Sequence, residues 1–141
     1  MSELIRFGVS MDADLLKKFD RLILERSYAN RSEALRDLIR EALIEQKIEF
    51  QKGIIALGSL TLIYDHHAGN LPKEMGEIQH DFHENILSVT HQHVSHEDCL
   101  EIIALRGIVS EIVKLSNALL SLKGIKHGKL FLTVPSSEIT T

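Results

Sequence analysis

Residues 89–105 read VTHQHVSHEDCLEIIAL, and this stretch predicts a β-hairpin in the second half of the chain. Its two strand-like runs, 89–94 and 99–105, are joined by four polar residues that are typical of a tight turn. Gly107 follows the second run and is expected to end it. A short connection of this kind pairs the two strands antiparallel. The length of the turn therefore determines which residues of the two strands lie opposite each other.

The hairpin brings together side chains that bind metals. His91 and His93 lie two residues apart on one strand and therefore project from the same face, and Cys99 begins the next strand. Imidazole and thiolate groups are borderline-to-soft ligands that suit Zn, Cu or Ni rather than Mg or Ca. His80 is a candidate for a fourth ligand, because it lies roughly 200° around its helix from Ile78 and so points away from the apolar stripe. A metal held in this way would bridge two subunits.

Outward from the hairpin, the sequence predicts a βαββαβ domain. A strand at Ile54–Asp65 leads through the turn Gly69–Pro72 into a helix, and a second helix leads to a last strand at Lys129–Val134. This order is typical of the ferredoxin-like α+β arrangement, with both helices on one face of an antiparallel sheet. We expect another subunit to cover the open face. The apolar stripes of the two helices are Met75, Ile78, Phe82 and Ile86, and Ile108, Ile112, Leu115, Leu119 and Leu122.

The N-terminal part predicts a strand followed by two helices. Ile5, Phe7 and Val9 point to one side of the strand, and Arg6, Gly8 and Ser10 to the other. Asp12 is expected to cap the first helix, and Asn30 with Glu33 resembles a capping box at the start of the second. A lone short strand cannot bury its apolar face or pair its backbone, so this module is expected to form an intertwined dimer.

Composition separates the two modules and excludes several classes of protein. The 141 residues are 44% apolar and 26% charged, with a net charge of −4, and all eight histidines lie after residue 65. No apolar run approaches the ~20 residues that cross a bilayer, so no membrane partner is expected. A single cysteine cannot form an internal disulfide, which favours the cytoplasm. The expected domains are 1–47, 54–134 and a tail at 135–141, with a linker at 48–53 that lies within Gln46–Gly53.

Residues from Leu4 to about Ile44 resemble the ribbon–helix–helix DNA-binding fold, most closely at Asn30–Asp37. The resemblance implies that two strands, one per chain, enter the major groove of an operator in double-stranded DNA. Arg6, Gly8 and Ser10 would then face base edges, and the backbone near Arg31 and Ser32 would hold a phosphate. Gly8 departs from the family, whose members usually carry a polar side chain there. The alternative is that Arg6 and Ser10 form the solvated face of an edge strand.

The motifs Gln79-His80, His91-Gln92-His93 and His96–Glu101, after a ribbon–helix–helix, are similar to those of the NikR family of nickel-responsive repressors. The resemblance implies a planar Ni(II) site, one per subunit, with His91, His93 and Cys99 from one chain and His80 from its neighbour. It also implies a homotetramer, a dimer of dimers, that binds an inverted-repeat operator and represses nickel-uptake genes.

The same resemblance assigns supporting roles. Tyr64 and Glu101 are expected to lie behind the metal ligands and orient them, whereas Leu62 replaces a polar group. Glu33 and Asp37 match positions of a weak cation site, although exposed carboxylates of a helix are more often only solvated. His66, His67 and His127 are expected to be solvated surface residues, and the roles of His83 and His96 stay open.

Three other functions compete with this interpretation. A repressor of the same design that responds to Cu or Co is the first, since Cu(II) generally binds such donors at least as tightly as Ni(II). An antitoxin-like ribbon–helix–helix protein is the second, but that class predicts a disordered C-terminal part. A metalloenzyme is the third, and it is disfavoured because four protein ligands leave no open position and no separate base or nucleophile is evident.

Overall fold

The computed structural model describes residues 2–50 and 53–139, which form two compact units divided between Leu43 and Ile44. The parts of the predicted linker and tail at 51–52 and 140–141 lie outside the described residues. The domain bounds given above therefore stay a prediction.

The first unit contains two helices, α1 (Ala13–Glu25) and the start of α2 (Arg31–Phe50). Each begins at the cap that the sequence predicts. Asp12 Oδ1 accepts a hydrogen bond from the backbone N–H of Asp14 at 2.7 Å, and Asn30 Oδ1 accepts one from Glu33 at 2.9 Å. These caps satisfy N–H groups that have no partner within the helix, and they fix where each helix starts.

Residues 2–12 have neither helix nor strand in this chain, so the strand predicted around Phe7 is not formed here. The physical reason is that a strand needs a hydrogen-bonded neighbour, and none of the described segments of the same chain pairs with it. Its apolar side chains are accordingly exposed, Ile5 by 78%, Phe7 by 72% and Val9 by 57%. The paired ribbon stays a prediction that requires a second chain.

Part of the expected linker and part of the expected C-terminal tail are helical in the structure. Helix α2 continues through residues 46–50, where a linker was expected. Residues Ser136–Glu138 form a short 3-10 helix, and Lys47 Nζ donates to the backbone carbonyl oxygen of Glu138 at 2.7 Å. The described part of the tail is therefore a short helix with a partner on α2.

The second unit is a four-stranded antiparallel sheet with two helices, as the sequence predicts. The strands follow the order β2-β3-β1-β4 across the sheet, and neighbouring strands are all antiparallel. Its elements are β1 (Ile55–Tyr64), α3 (Leu71–Asp81), β2 (Ile86–His93), β3 (Cys99–Ile108), α4 (Val109–Leu120) and β4 (Ile125–Thr133).

The core lies between the sheet and the two helices. Leu60 and Ile103 from the sheet and Ile112, Leu115 and Leu119 from α4 are completely buried, so the centre of the predicted stripe is confirmed. Its two ends are wrong, because Ile108 is the last residue of β3 and Leu122 follows the end of α4. This packing removes apolar surface from water and holds the two central strands, β1 and β3, in fixed register.

Two local expectations are wrong. Ile86 begins β2 rather than ending the stripe of α3. Gly107 does not end β3, which continues to Ile108; it instead takes a φ of +155°, and a β-carbon there would collide with the side-chain amide of Asn85. The positive φ favours glycine at this position, and a β-carbon would in addition require the flexible side chain of Asn85 to move.

No helix among the described residues is long and apolar enough to span a membrane.

Candidate metal centre

The ends of three adjacent strands meet at one corner of the sheet. His93 on β2 is directly opposite Cys99 on β3, and Cys99 is in turn opposite Tyr64 on β1. One step along, His91 is opposite Glu101. Directly opposite residues of an antiparallel pair point to the same face, so these five side chains share the face that carries the helices.

Cys99 is the buried centre of this corner. Its Sγ lies 3.5 Å from His93 Nδ1 and 2.9 Å from His66 Nδ1, and its side chain is completely buried. The ligand atoms of His66, His93 and Cys99 all lie within 4.8 Å of one another. The chain by itself thus brings a thiol and two imidazoles to one point.

His66 was missed by sequence reasoning, which expected it to be solvated. It is half-buried and makes the short contact with Cys99. The available signal was its position two residues after Tyr64, the residue that the resemblance placed behind the metal ligands and that is opposite Cys99.

His91 is held by two hydrogen-bonding groups behind it. The hydroxyl of Tyr64 lies 2.8 Å from His91 Nδ1, and Glu101 Oε1 lies 3.5 Å from the same nitrogen. Gln79 on α3 donates its amide N–H to Glu101 Oε2 at 2.9 Å. Tyr64 and Glu101 are therefore both close to this imidazole, and their role in orienting a metal ligand stays a prediction.

Burial changes the protonation behaviour at this corner. Removal from water, with Glu101 and Cys99 nearby, raises the pKa of Tyr64 to about 12, so the phenol stays protonated. Partial burial, together with the neighbouring His67 and His93, lowers the pKa of His66. A neutral imidazole keeps a free lone pair, which is the form that binds a metal.

His80 lies apart from this cluster. It is exposed near the end of α3, and its ring is stacked on His83 with centroids 5.9 Å apart. Its outward position agrees with the expectation that it faces away from its own core. Within the one chain it contributes no ligand atom to the group around Cys99.

The residues expected to contact DNA are all exposed in the first unit. Arg6, Gly8 and Ser10 lie in the irregular segment before α1, and Ser32 lies in the first turn of α2. Arg31 instead forms a two-pronged ion pair with Asp20, at 2.9 and 3.0 Å, which lowers the pKa of that carboxyl.

The carboxylates expected to form a weak cation site have other partners. Glu33 pairs with Arg36, and Asp37 accepts a hydrogen bond from the hydroxyl of Tyr28. Among the residues that the structure describes, no group of three metal ligands includes either carboxylate. These contacts favour the interpretation as solvated helix charges, and the cation site stays a prediction.

Comparison with known proteins decides the family. Residues 57–133 match the family described as the NikR C terminal nickel binding domain, and residues 2–46 match the ribbon-helix-helix proteins of the copG family. The chain belongs to the NikR family. It is accordingly a nickel-responsive, DNA-binding transcriptional regulator and not an enzyme, and nickel is its metal.

Full-length relatives agree with this assignment. NikR-family proteins named nickel-responsive regulators are 48% identical over 139 residues in Solibacter usitatus and 49% identical over 140 residues in Nitratidesulfovibrio vulgaris, each covering 99% of this chain and at least 99% of the relative. A solved structure of an uncharacterized protein from Thermotoga maritima covers 56% of this chain and 98% of that one. Its TM-score is 0.51 at 21% identity, so it supports the fold alone.

Proposed function

We propose that this regulator binds an inverted-repeat DNA operator when Ni(II) is held between two subunits. The ligands would be His91, His93 and Cys99 of one chain and His80 of the partner subunit, one nickel per subunit of a tetramer. The observation that carries the proposal is the convergence of the buried Cys99 thiol with the imidazoles of His93 and His66 at one corner of the sheet, within a chain of the NikR family.

The donor set suits nickel. Imidazole nitrogen and thiolate sulfur are the borderline-to-soft ligands that bind late first-row ions tightly. His93 and Cys99 already face each other, and Tyr64 and Glu101 fix the ring of His91 from behind. Polar groups behind a ligand imidazole orient it and raise its basicity, which strengthens binding.

The exposed position of His80 supports a ligand shared between subunits. A side chain that points away from its own core can enter a site on a second copy, whereas a buried one cannot. Gln79, the preceding residue, is hydrogen-bonded to Glu101. The helix that presents His80 is thus tied to the strand that carries Cys99 within each chain.

Nickel binding would raise operator affinity by increasing the fraction of molecules in an arrangement that can bind DNA. Nickel, when bound, supplies a cross-link between the donor residues of two subunits. Cross-linked subunits sample fewer arrangements, so a larger fraction presents both N-terminal ribbons to one operator and the apparent affinity rises. Reciprocity requires that operator DNA tighten nickel binding by the same factor.

A mixing experiment tests the shared site. His80→Ala chains keep three ligands and lack the fourth, whereas Cys99→Ala chains keep His80. We expect neither protein alone to show nickel-dependent operator binding in a mobility-shift assay, and the sulfur-to-nickel absorption of wild type to be absent from Cys99→Ala and altered in His80→Ala.

Co-refolding the two variants is expected to restore part of both signals, because a mixed oligomer contains complete sites. His127→Ala serves as the matched control, since it removes an imidazole outside the cluster. Full nickel response of either variant alone, or no recovery on mixing, would contradict the shared site. A stronger operator response to Cu(II) or Co(II) than to Ni(II) would overturn the choice of metal.

A further inference from the structure

We propose that Lys126 is a positioning residue of the nickel site, because its ammonium group holds the hairpin turn that precedes Cys99. Lys126 lies on β4, and β1 separates β4 from β3 in the order of the sheet. The inference rests on the proposed function and deepens it, since it assigns a role in nickel binding to a residue that is not itself a ligand.

A β-bulge in β4 lies beside the metal corner. Ile63 is opposite His127 and Tyr64 is opposite Ile125, so Lys126 is an extra residue of β4 with no partner on β1. On its other side, Tyr64 is opposite Cys99. A bulge bends its strand and redirects the extra side chain, and bulges are frequent next to functional sites. The irregular pairing therefore places Lys126 at the level of the sheet where Cys99 lies.

The side chain of Lys126 reaches the hairpin turn at residues 94–98. Its Nζ donates to Asp98 Oδ1 at 2.7 Å and to the backbone carbonyl oxygen of Glu97 at 3.4 Å. Among the residues that the structure describes, Lys126 supplies the hydrogen bonds that reach this turn from outside the hairpin. Asp98 directly precedes Cys99, so the contact fixes the residue next to the thiol.

Asp98 also closes the turn through its backbone. Its carbonyl oxygen accepts from the N–H of Val94 at 2.9 Å and of Ser95 at 3.2 Å, and its own N–H donates to Ser95 Oγ at 3.1 Å. His93 and Cys99 flank this turn, and His93 Nδ1 lies 3.5 Å from Cys99 Sγ. A displaced turn would therefore change the separation of two of the proposed nickel ligands.

The contact is suited to positioning rather than to global stability. The side chains of Lys126 and Asp98 are 42% and 41% exposed, and an ion pair with that exposure adds little to the free energy of unfolding. The hydrogen bond to Asp98 raises the pKa of Lys126, so the ammonium group stays charged. Removing the charge is thus expected to alter the metal site while the unit stays folded.

The test compares the full-length wild type with Lys126→Met, which keeps most of the side-chain length and removes the donor. Nickel affinity is measured by competition with a chelator, and thiolate–nickel absorption is recorded on the same samples. Groups that orient metal ligands change affinity by about 10–100-fold when they are removed. We expect a loss of about 10-fold and a shifted absorption band, with a urea midpoint close to that of wild type.

A second measurement uses the metal-free protein. The Cys99 thiol is completely buried, so its reaction with an aromatic disulfide reagent reports how often the corner opens. We expect Lys126→Met to react faster than wild type. Lys126→Arg keeps a cationic donor and should restore much of the affinity. The matched control is Lys129→Met, which removes an exposed lysine of the same strand and should behave as wild type in both measurements.

Wild-type affinity and absorption in Lys126→Met would overturn the positioning role. A lowered urea midpoint with an unchanged absorption band would also overturn it, because that result would indicate a structural role alone. Failure of Lys126→Arg to restore affinity would contradict the hydrogen bond as the cause. Absence of thiolate absorption in wild type would refute the proposed function and the positioning role together, whereas the preceding outcomes leave the proposed function standing.

Discussion

The two units differ in how far a single chain buries their apolar side chains. The second unit closes a core from its own elements, with Leu60, Ile103 and Leu119 completely buried. The first unit buries little in one chain and leaves Phe7 and Leu15 exposed by 72% and 56%. The difference indicates that one chain builds the core of the second unit, and it supports the expectation that the first unit needs a second copy to bury its apolar side chains.

A charge on the N-terminal segment is expected to have the largest effect, and it should affect the first unit without affecting the second. Phe7→Asp would place an unpaired carboxylate in the paired ribbon, at a cost of about 3–5 kcal/mol. We expect operator affinity to fall by at least about 100-fold, while thiolate–nickel absorption stays unchanged because the second unit is not touched. Mobility shift and absorption measure the two effects. Phe7→Leu is the control and should retain binding; if Phe7→Asp bound the operator normally, the ribbon would not be formed by this segment.

Truncating a core side chain of the second unit is expected to have the second-largest effect. Ile103→Ala leaves a cavity between sheet and helices, and we expect the free energy of unfolding to fall by about 2–5 kcal/mol. Urea unfolding followed by circular dichroism measures it. The volume-conserving Ile103→Leu should cost under about 1.5 kcal/mol. Equal stability of Ile103→Ala and wild type would mean that the side chain is not in a closed core.

Base recognition by the first unit predicts a smaller, sequence-dependent effect. Arg6→Ala is expected to weaken operator binding by about 1–3 kcal/mol and to relax preference at one base pair per half-site, because arginine pairs with guanine in the major groove. Competition binding to operators changed at single positions measures both effects. Nickel stoichiometry should not change. A uniform loss across all operator variants would instead indicate a phosphate contact.

The helix cap gives the smallest expected effect. Asn30→Ala removes the oxygen that accepts from the backbone of Glu33, and we expect a loss of about 1 kcal/mol in the free energy of unfolding. Asn30→Asp keeps an acceptor and serves as the control. Thermal unfolding of the three proteins side by side measures the difference, and an unchanged midpoint for Asn30→Ala would show that the cap does not limit stability.

Much of the second unit was predictable because its signals are local. Strand alternation and helical spacing predict all six helices and strands in order, and the spacing of His91, His93 and Cys99 is enough to place them on one face. The capping residues of the first unit were equally local, since Asp12 and Asn30 act on N–H groups two or three residues away.

The features that the sequence did not predict depend on contacts between distant parts of the chain. His66 joins the cluster only because β1 lies beside β3, a pairing that the sequence around His66 does not encode. Gly107 has a φ of +155° beside Asn85, a backbone conformation that the strand pattern does not encode. The helical end of α2 and the ordered tail meet through Lys47 and Glu138, which are 91 residues apart.

The most direct test of the central claim is nickel K-edge X-ray absorption on the full chain loaded with one nickel per chain. We expect one sulfur neighbour with the remaining neighbours nitrogen, and loss of the sulfur in Cys99→Ala. A first shell of nitrogen and oxygen alone in wild type would contradict it, because nickel would then lie away from the buried thiol at the corner of the sheet.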